Sequence, residues 1–169
     1  MIKAILILPF NAVITVPALL LWLTRPISLA APSQPQWWLA LLLLTLGLSL
    51  FIATVLLFIR IGKGSLAPWD APKRFVVAGP YRFMRHPMIT GVAASLLAET
   101  LLFGSWILAA WTVLFVGINI VYLPLKEEPD LVRRFGDDYR TYMRHVPRWL
   151  PRLTPWMPEQ KVGTDNEHG

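Results

Sequence analysis

Glu127 and Glu128 stand side by side where a long apolar run ends, on a strongly basic flank. Adjacent carboxylates there suit a cationic ligand, such as a sulfonium or an ammonium, or the hydroxyls of a ribose. Plain helix-start electrostatics would use the same residues. Arg85-His86-Pro87 stands at the start of another apolar run. Arg85 and His86 serve either as snorkelling anchors or as an anion-orienting group and a donor or base near neutral pH. Glu99 is the only acidic residue inside an apolar run. An ionisable group there costs about 2.5–3.5 kcal/mol on insertion scales, which makes it a functional candidate beside the plainer reading of a protonated or interface-lying carboxyl. Asn119 reads as an interhelical hydrogen bond. Gly62-Lys63-Gly64 has no preceding strand and no full phosphate-loop pattern, so soluble nucleotide-binding folds are not indicated.

These residues are set in a chain unlike a soluble domain. Of its 169 residues, 55 % are hydrophobic and only 15 % charged, where a soluble domain carries about 25 %. The absence of cysteine excludes disulfides, thiolate-held zinc, iron–sulfur clusters and a cysteine nucleophile. His86, His145 and His168 lack metal-ligand spacing, so no metal site is expected. The net charge of +6 is not spread as a nucleic-acid-binding stripe. Six of 16 basic residues lie in 60–87 and eight in 126–161, flanking apolar runs in the positive-inside pattern. The partner this implies is a lipid bilayer, and no nucleic acid is expected.

The elements that must position the candidates follow from the apolar runs. Ala4 to Thr24 is free of charge and longer than the roughly 7–15 residues of a signal-peptide core, so it reads as a retained first helix, bent by Pro9 and Pro17. Pro32-Ser33-Gln34-Pro35 makes a loop, and a second helix runs over 37–59, with Trp37 and Trp38 at the interface. A third run, 88–103, covers about 24 Å, short of a hydrocarbon core of roughly 30 Å. Gly104-Ser105 divides it from a fourth, 105–125. The expected fold is all-α: a polytopic membrane protein of about four transmembrane helices plus a cytoplasmic amphipathic C-terminal helix. Both termini and both basic segments, 60–87 and 126–152, then share the cytoplasmic side, which for a bacterial-type cell is that of the inner membrane.

In the segment 126–152, Pro129 suits a first helical position with Glu128 as its cap. Leu131, Phe135, Tyr139, Tyr142 and Val146 recur on one face, and Arg133–Asp137 and Arg134–Asp138 are spaced as i,i+4 ion pairs. Residues 1–152 form one domain on this reading, and 153–169 a frayed tail.

Two blocks add a family resemblance. Gly79-Pro80-Tyr81-Arg82-Phe83-Met84-Arg85-His86-Pro87 with Gly91 resembles an Arg-His-Pro-x-x-x-Gly motif. Glu127-Glu128, Phe135-Gly136, Tyr139, Tyr142 and Val146-Pro147 resemble the C-terminal half that accompanies it. Their order and spacing over about residues 60–152 are similar to the isoprenylcysteine carboxyl methyltransferase and phospholipid methyltransferase superfamily of integral membrane enzymes. The resemblance implies S-adenosylmethionine as cofactor, bound between cytoplasmic loops and membrane. It implies His86, Pro87, Gly91, Glu127, Glu128, Tyr139, Tyr142, Val146 and Pro147 around that cofactor. Arg85, His86 and Glu128 are the implied catalytic residues, and the acceptor is a lipid-like or membrane-embedded carboxylate or amine. Members acting on isoprenylcysteine carry Tyr where this chain has Ile89, and Arg where it has His145, with Arg144 adjacent. Arg85, Glu99, Arg144 and His145 are therefore the residues expected to bear on the acceptor. Rival readings are an NADPH-dependent membrane reductase of the sterol reductase type, a small transporter using Glu99, and a noncatalytic lipid-binding or assembly protein.

Overall fold

The computed structural model describes residues 10–24, 28–62 and 77–157. The expected residues 4–9 of the first run, half of the basic loop 60–87 (63–76, including Lys63-Gly64) and the tail from 158 lie outside them. Every regular element among the described residues is helical. Helix α1 (Val16–Leu23) follows a wide turn, Asn11–Thr15, in which the Val16 N–H reaches five residues back to the Asn11 carbonyl, just ahead of Pro17. Helix α2 (Pro35–Leu57) continues into a similar turn at Phe58–Gly62. A short 3₁₀ turn (Gly79–Arg82) leads to α3 (Pro87–Phe103), then α4 (Trp106–Tyr122), a wide turn at Leu123–Glu127, and α5 (Glu128–His145).

The stretches Pro35–Ile61 and Trp106–His145 are long and apolar enough to cross a membrane, and Asn11–Leu23 and Pro87–Phe103 are shorter apolar helices. Large side chains such as Leu42, Leu46, Ile52, Val113 and Ile118 lie open on the outside of α2 and α4. A soluble monomer rarely exposes so continuous an apolar surface, whereas lipid covers it without cost.

The most extensive pairing is α2 with α3. It centres on Gly47 and Gly91, which bring the two backbones together: a Cβ on Gly91 would lie 2.8 Å from the Gly47 carbonyl oxygen and 3.1 Å from the Phe51 nitrogen. Small residues at such a crossing drive helix association in membranes by close backbone packing. Gly91→Val is therefore expected to cost about 1–3 kcal/mol through overpacking against backbone that cannot yield. Unfolding in detergent measures it, and wild-type stability in this variant would contradict the close approach. Gly104 closes α3 in the left-handed conformation (φ 55), and the returning α4 is tied to α3 by a 3.1 Å hydrogen bond between the Thr100 and Thr112 hydroxyls.

Residues 123–157 differ from the sequence expectation. No fresh helix starts at Pro129 with a Glu128 cap, because Glu127 and Glu128 already have helical dihedrals. Pro124 and Pro129 each lack an N–H, and the chain accommodates them by widening one turn: the Glu128 N–H donates to the Leu123 carbonyl, five residues back. The side chain of Glu128 is thereby freed from capping and turned inward. The ion pairs on α5 also shift. Gly136 interrupts the helix at φ 56 and ψ −130, a conformation glycine alone adopts without strain. The pairs formed are Arg133–Asp130 at 3.0 Å and Arg140–Asp137 at 2.8 Å, one on each side of the interruption. The apolar face is as expected: Tyr139, Tyr142 and Val146 are buried together, with Leu131 and Phe135 packed against them. Residues 153–157 do not fray, since Trp156 joins that cluster.

Candidate functional site

Pro87 excludes the helical conformation for the residue before it, so His86 sits at φ −122 and ψ 57, on the threshold of α3. The segment 81–85 ahead of it is clamped by the C-terminal strap, residues 146–157. The Arg85 N–H donates to the Pro147 carbonyl at 2.9 Å, the Arg152 N–H to Phe83 at 3.0 Å and the Trp156 N–H to Arg82 at 2.9 Å. The Tyr142 hydroxyl donates to the Tyr81 carbonyl at 2.7 Å. Burial pushes the pKa of the Tyr142 hydroxyl far up, with Tyr139 adding to it, so this hydroxyl keeps its proton and stays a donor.

The strap and the α3–α4 hairpin bring charges together around one carboxylate. Glu128, 3 % exposed, accepts from Arg85 Nη1 at 2.9 Å and lies 3.3 Å from His86 Nε2. Arg148 grips it with two bonds, Nε to Oε1 at 2.9 Å and Nη2 to Oε2 at 2.7 Å. The other imidazole nitrogen, His86 Nδ1, lies 3.6 Å from Glu127 Oε1, and the Glu127 side chain is 40 % exposed. The two carboxylates thus have different duties. Glu128 is saturated by protein donors, while Glu127 retains an open oxygen.

Burial alone would raise the Glu128 carboxyl, but hydrogen bonds from His86 and Arg148 and the charges of Arg85 and Arg148 outweigh it and hold it at about 2. Burial alone would lower His86. Its hydrogen bonds to Glu127 and Glu128, with their charges, prevail and raise it above 6.5. The signs fix a pH window. Glu128 contributes fully above its unfolded value of 4.5 and loses that contribution as pH falls toward 2. His86 contributes fully below 6.5 and loses it as pH rises through its higher folded value. The thermal midpoint in detergent is expected to peak between these two pH values and fall on both sides. His86→Asn should flatten the alkaline limb, and an alkaline limb unchanged in that variant would contradict the assignment.

Most of the sequence candidates converge here. Arg85 and His86 meet Glu127 and Glu128, 42 positions separating His86 from Glu128, and Pro87 is buried beside them at the start of α3. Tyr139, Tyr142 and Val146 form the floor beneath, and Pro147 supplies a carbonyl to Arg85. Gly91 lies one turn into α3, at the crossing with α2. Others lie apart. Glu99 is twelve residues beyond Pro87, about 18 Å at helical rise, with Oε2 buried and without a hydrogen-bond partner among the described residues. Arg144 is exposed. His145 is also exposed, its Nδ1 2.8 Å from the Thr141 carbonyl and its ring stacked on Trp156. Sequence reasoning passed over Arg148, which stands just after Val146-Pro147, and Trp149, whose ring centroid is 6.1 Å from that of His86. A basic residue immediately beyond the motif was the available signal.

Comparison with known proteins matches residues 35–138 to a family model described as phospholipid methyltransferase. The chain belongs to that family. The matched span holds Arg85, His86, Glu127 and Glu128, and stops before Tyr139, Tyr142 and Arg148, which complete the cluster. Methanethiol S-methyltransferase 1 of Bradyrhizobium diazoefficiens is 35 % identical over 81 residues, 47 % of this chain and 27 % of that protein. The chain thus matches little more than a quarter of that relative's length. Membership makes this phospholipid methyltransferase-family chain a methyltransferase homologue, and its apolar helices are those of a membrane protein.

Proposed function

We propose that this protein transfers methyl groups from S-adenosylmethionine to a membrane-embedded or lipid-like acceptor at the cytoplasmic face. The observation that carries the reading is the meeting of Arg85-His86 with Glu127-Glu128 in one buried cluster, within the segment that matches a methyltransferase family. The residues suit the cofactor: Glu127 keeps an open carboxylate for hydroxyl or ammonium groups, and Tyr139 and Tyr142 give the cluster an apolar floor. Bound there, S-adenosylmethionine supplies a methyl group on a sulfonium. The chain's own residues hold and align the two reactants, the main source of rate in such a transfer. The distribution of basic residues supports a multi-pass arrangement with this site on the cytoplasmic side of the inner membrane.

The acceptor follows from charge. Arg85 and Arg148 balance Glu127 and Glu128, and His86, whose proton affinity both carboxylates raise, adds positive charge to the cluster as it protonates. An anionic nucleophile, thiolate or carboxylate, is better held in such a site than an amine, which must first lose a proton. The name of the relative, a methanethiol S-methyltransferase, favours the thiolate. The test incubates the protein in nanodiscs with methyl-labelled S-adenosylmethionine and, in turn, methanethiol, a prenylated cysteine and phosphatidylethanolamine. Label is expected on the thiol or the carboxylate. Label on phosphatidylethanolamine alone would overturn the charge argument, and label on none of them the enzymatic reading.

A further inference from the structure

The C-terminal strap carries a surface of its own. Leu150 and Leu153, at 79 % and 100 % exposure, stand further out than any large apolar side chain of α2, α3 or α4, and Met157 is exposed as well. The segment bearing them is nevertheless held in place. Arg148 grips Glu128, the Arg152 N–H donates to the Phe83 carbonyl and its Nη1 to the His145 carbonyl, and the Trp156 N–H donates to the Arg82 carbonyl. Leu150 lies between the Arg148 and Arg152 anchors, Leu153 follows Arg152, and Met157 follows Trp156. Holding large apolar side chains outward in water gains nothing. It is favourable where an apolar medium meets them.

The anchors also set the depth of the strap. They hold it to residues 82–85, directly ahead of the apolar helix α3, and to Glu128, just beyond the apolar helix α4. The Trp149 ring centroid lies 6.1 Å from that of His86, on the threshold of α3. This is the level at which lipid-covered helices enter the headgroup layer, where tryptophan concentrates. Charge selects the kind of surface. No Asp or Glu stands between Asp138 and Glu159, whereas Arg140, Arg144, Arg148 and Arg152 do. Arg140 is paired with Asp137 and Arg148 with Glu128, and among the described residues Arg144 and Arg152 have no carboxylate partner. The Arg152 bond to His145, whose ring stacks on Trp156, seats the Arg144 end of α5 against the strap. Exposed apolar side chains interleaved with such arginines complement an anionic lipid leaflet, which takes the former into its acyl boundary and the latter onto its phosphates.

We propose that the strap is an interfacial anchor: Leu150, Leu153 and Met157 enter the cytoplasmic leaflet at headgroup depth, and Arg144 and Arg152 bind its anionic phosphates. The anchor needs this side of the molecule to be cytoplasmic, as in the reading above, but not the methyl transfer. The chain has no cysteine, so Thr154→Cys, at an exposed position, takes a single environment-sensitive fluorophore and leaves all five anchor residues in place. The labelled full chain is set in nanodiscs of phosphatidylcholine with phosphatidylglycerol, and of phosphatidylcholine alone. Quenching by spin-labelled lipid, set against quenching by aqueous acrylamide, reads the ratio of inserted to free strap. In the anionic nanodiscs the probe is expected to be quenched by lipid and shielded from acrylamide. Leu153→Ser should lower the ratio about tenfold through lost apolar burial. Arg144→Gln should lower it about fivefold, the worth of one basic residue at such a surface, and leave it unchanged in neutral nanodiscs. Full access of acrylamide without lipid quenching overturns the anchor, and so does insertion indifferent to lipid charge and to Arg144→Gln. Shielding that persists in detergent and disappears on dilution of the protein assigns the face to a second copy, and likewise overturns it. Insertion by a chain that transfers no methyl group leaves the anchor standing and removes the function.

Discussion

Glu128→Ala is expected to cost about 3–5 kcal/mol of stability, the penalty for removing one partner of a buried ion pair. The reason lies in what remains. Arg85, at 11 % side-chain exposure, would keep its charge with the central carboxylate gone, and His86, at 5 %, would lose a buried hydrogen-bond partner. Arg148 would lose both of its bonds and with them the anchor of the strap. Glu127→Ala is the control one residue away. Its carboxylate is 40 % exposed and makes one 3.6 Å contact to His86, so its loss should cost below about 1 kcal/mol. Reversible unfolding in mixed micelles compares the two. Equal stabilities for the two variants would mean that Glu128 is not the residue on which the cluster is built.

For ligand binding the order reverses. Glu127→Gln and His86→Ala are each expected to weaken S-adenosylmethionine binding at least tenfold, about 1.4 kcal/mol, with folding retained. The double variant should lose less than the sum. Groups that share a ligand couple by about 0.5–3 kcal/mol, whereas independent sites add to within about 0.3–0.5 kcal/mol. Glu127 is the partner of choice for His86 in this cycle because Glu128 has no unspent oxygen to offer. Near-wild-type affinity in both single variants would remove Glu127 and His86 from the ligand site.

Much of this arrangement is legible in the residues. The run boundaries at Gly104 and Pro87, and the face Leu131–Phe135–Tyr139–Tyr142–Val146, rest on local rules of turn chemistry and helical period, and those hold in the fold. The return of Glu127 and Glu128 to Arg85 and His86 follows from two apolar runs joined by a short turn. What escaped was non-local. Whether Glu128 caps a helix or faces inward depends on how the chain accommodates Pro124 and Pro129, and a widened turn leaves no spacing signature. The spacings Arg133–Asp137 and Arg134–Asp138 do not become ion pairs because Gly136 breaks the helical register between the partners. Arg148 and Trp156 are invisible to periodicity because they lie on a strap whose place is set by hydrogen bonds to residues 82–85, 62 to 74 positions away, as with Arg85 and Pro147. Glu99 attracted notice by its cost in a membrane, which measures rarity and not distance from the site.

The central claim is that the cluster of Arg85, His86, Glu127 and Glu128 is a site for S-adenosylmethionine. The rival reading of the sequence, an NADPH-dependent membrane reductase, makes NADPH the competing ligand. The most direct measurement is a calorimetric titration of the purified full chain in detergent with each cofactor in turn, repeated on Glu127→Gln. Saturable binding of S-adenosylmethionine that Glu127→Gln weakens, with no binding of NADPH, is the predicted result. Saturable binding of NADPH without binding of S-adenosylmethionine would contradict the account.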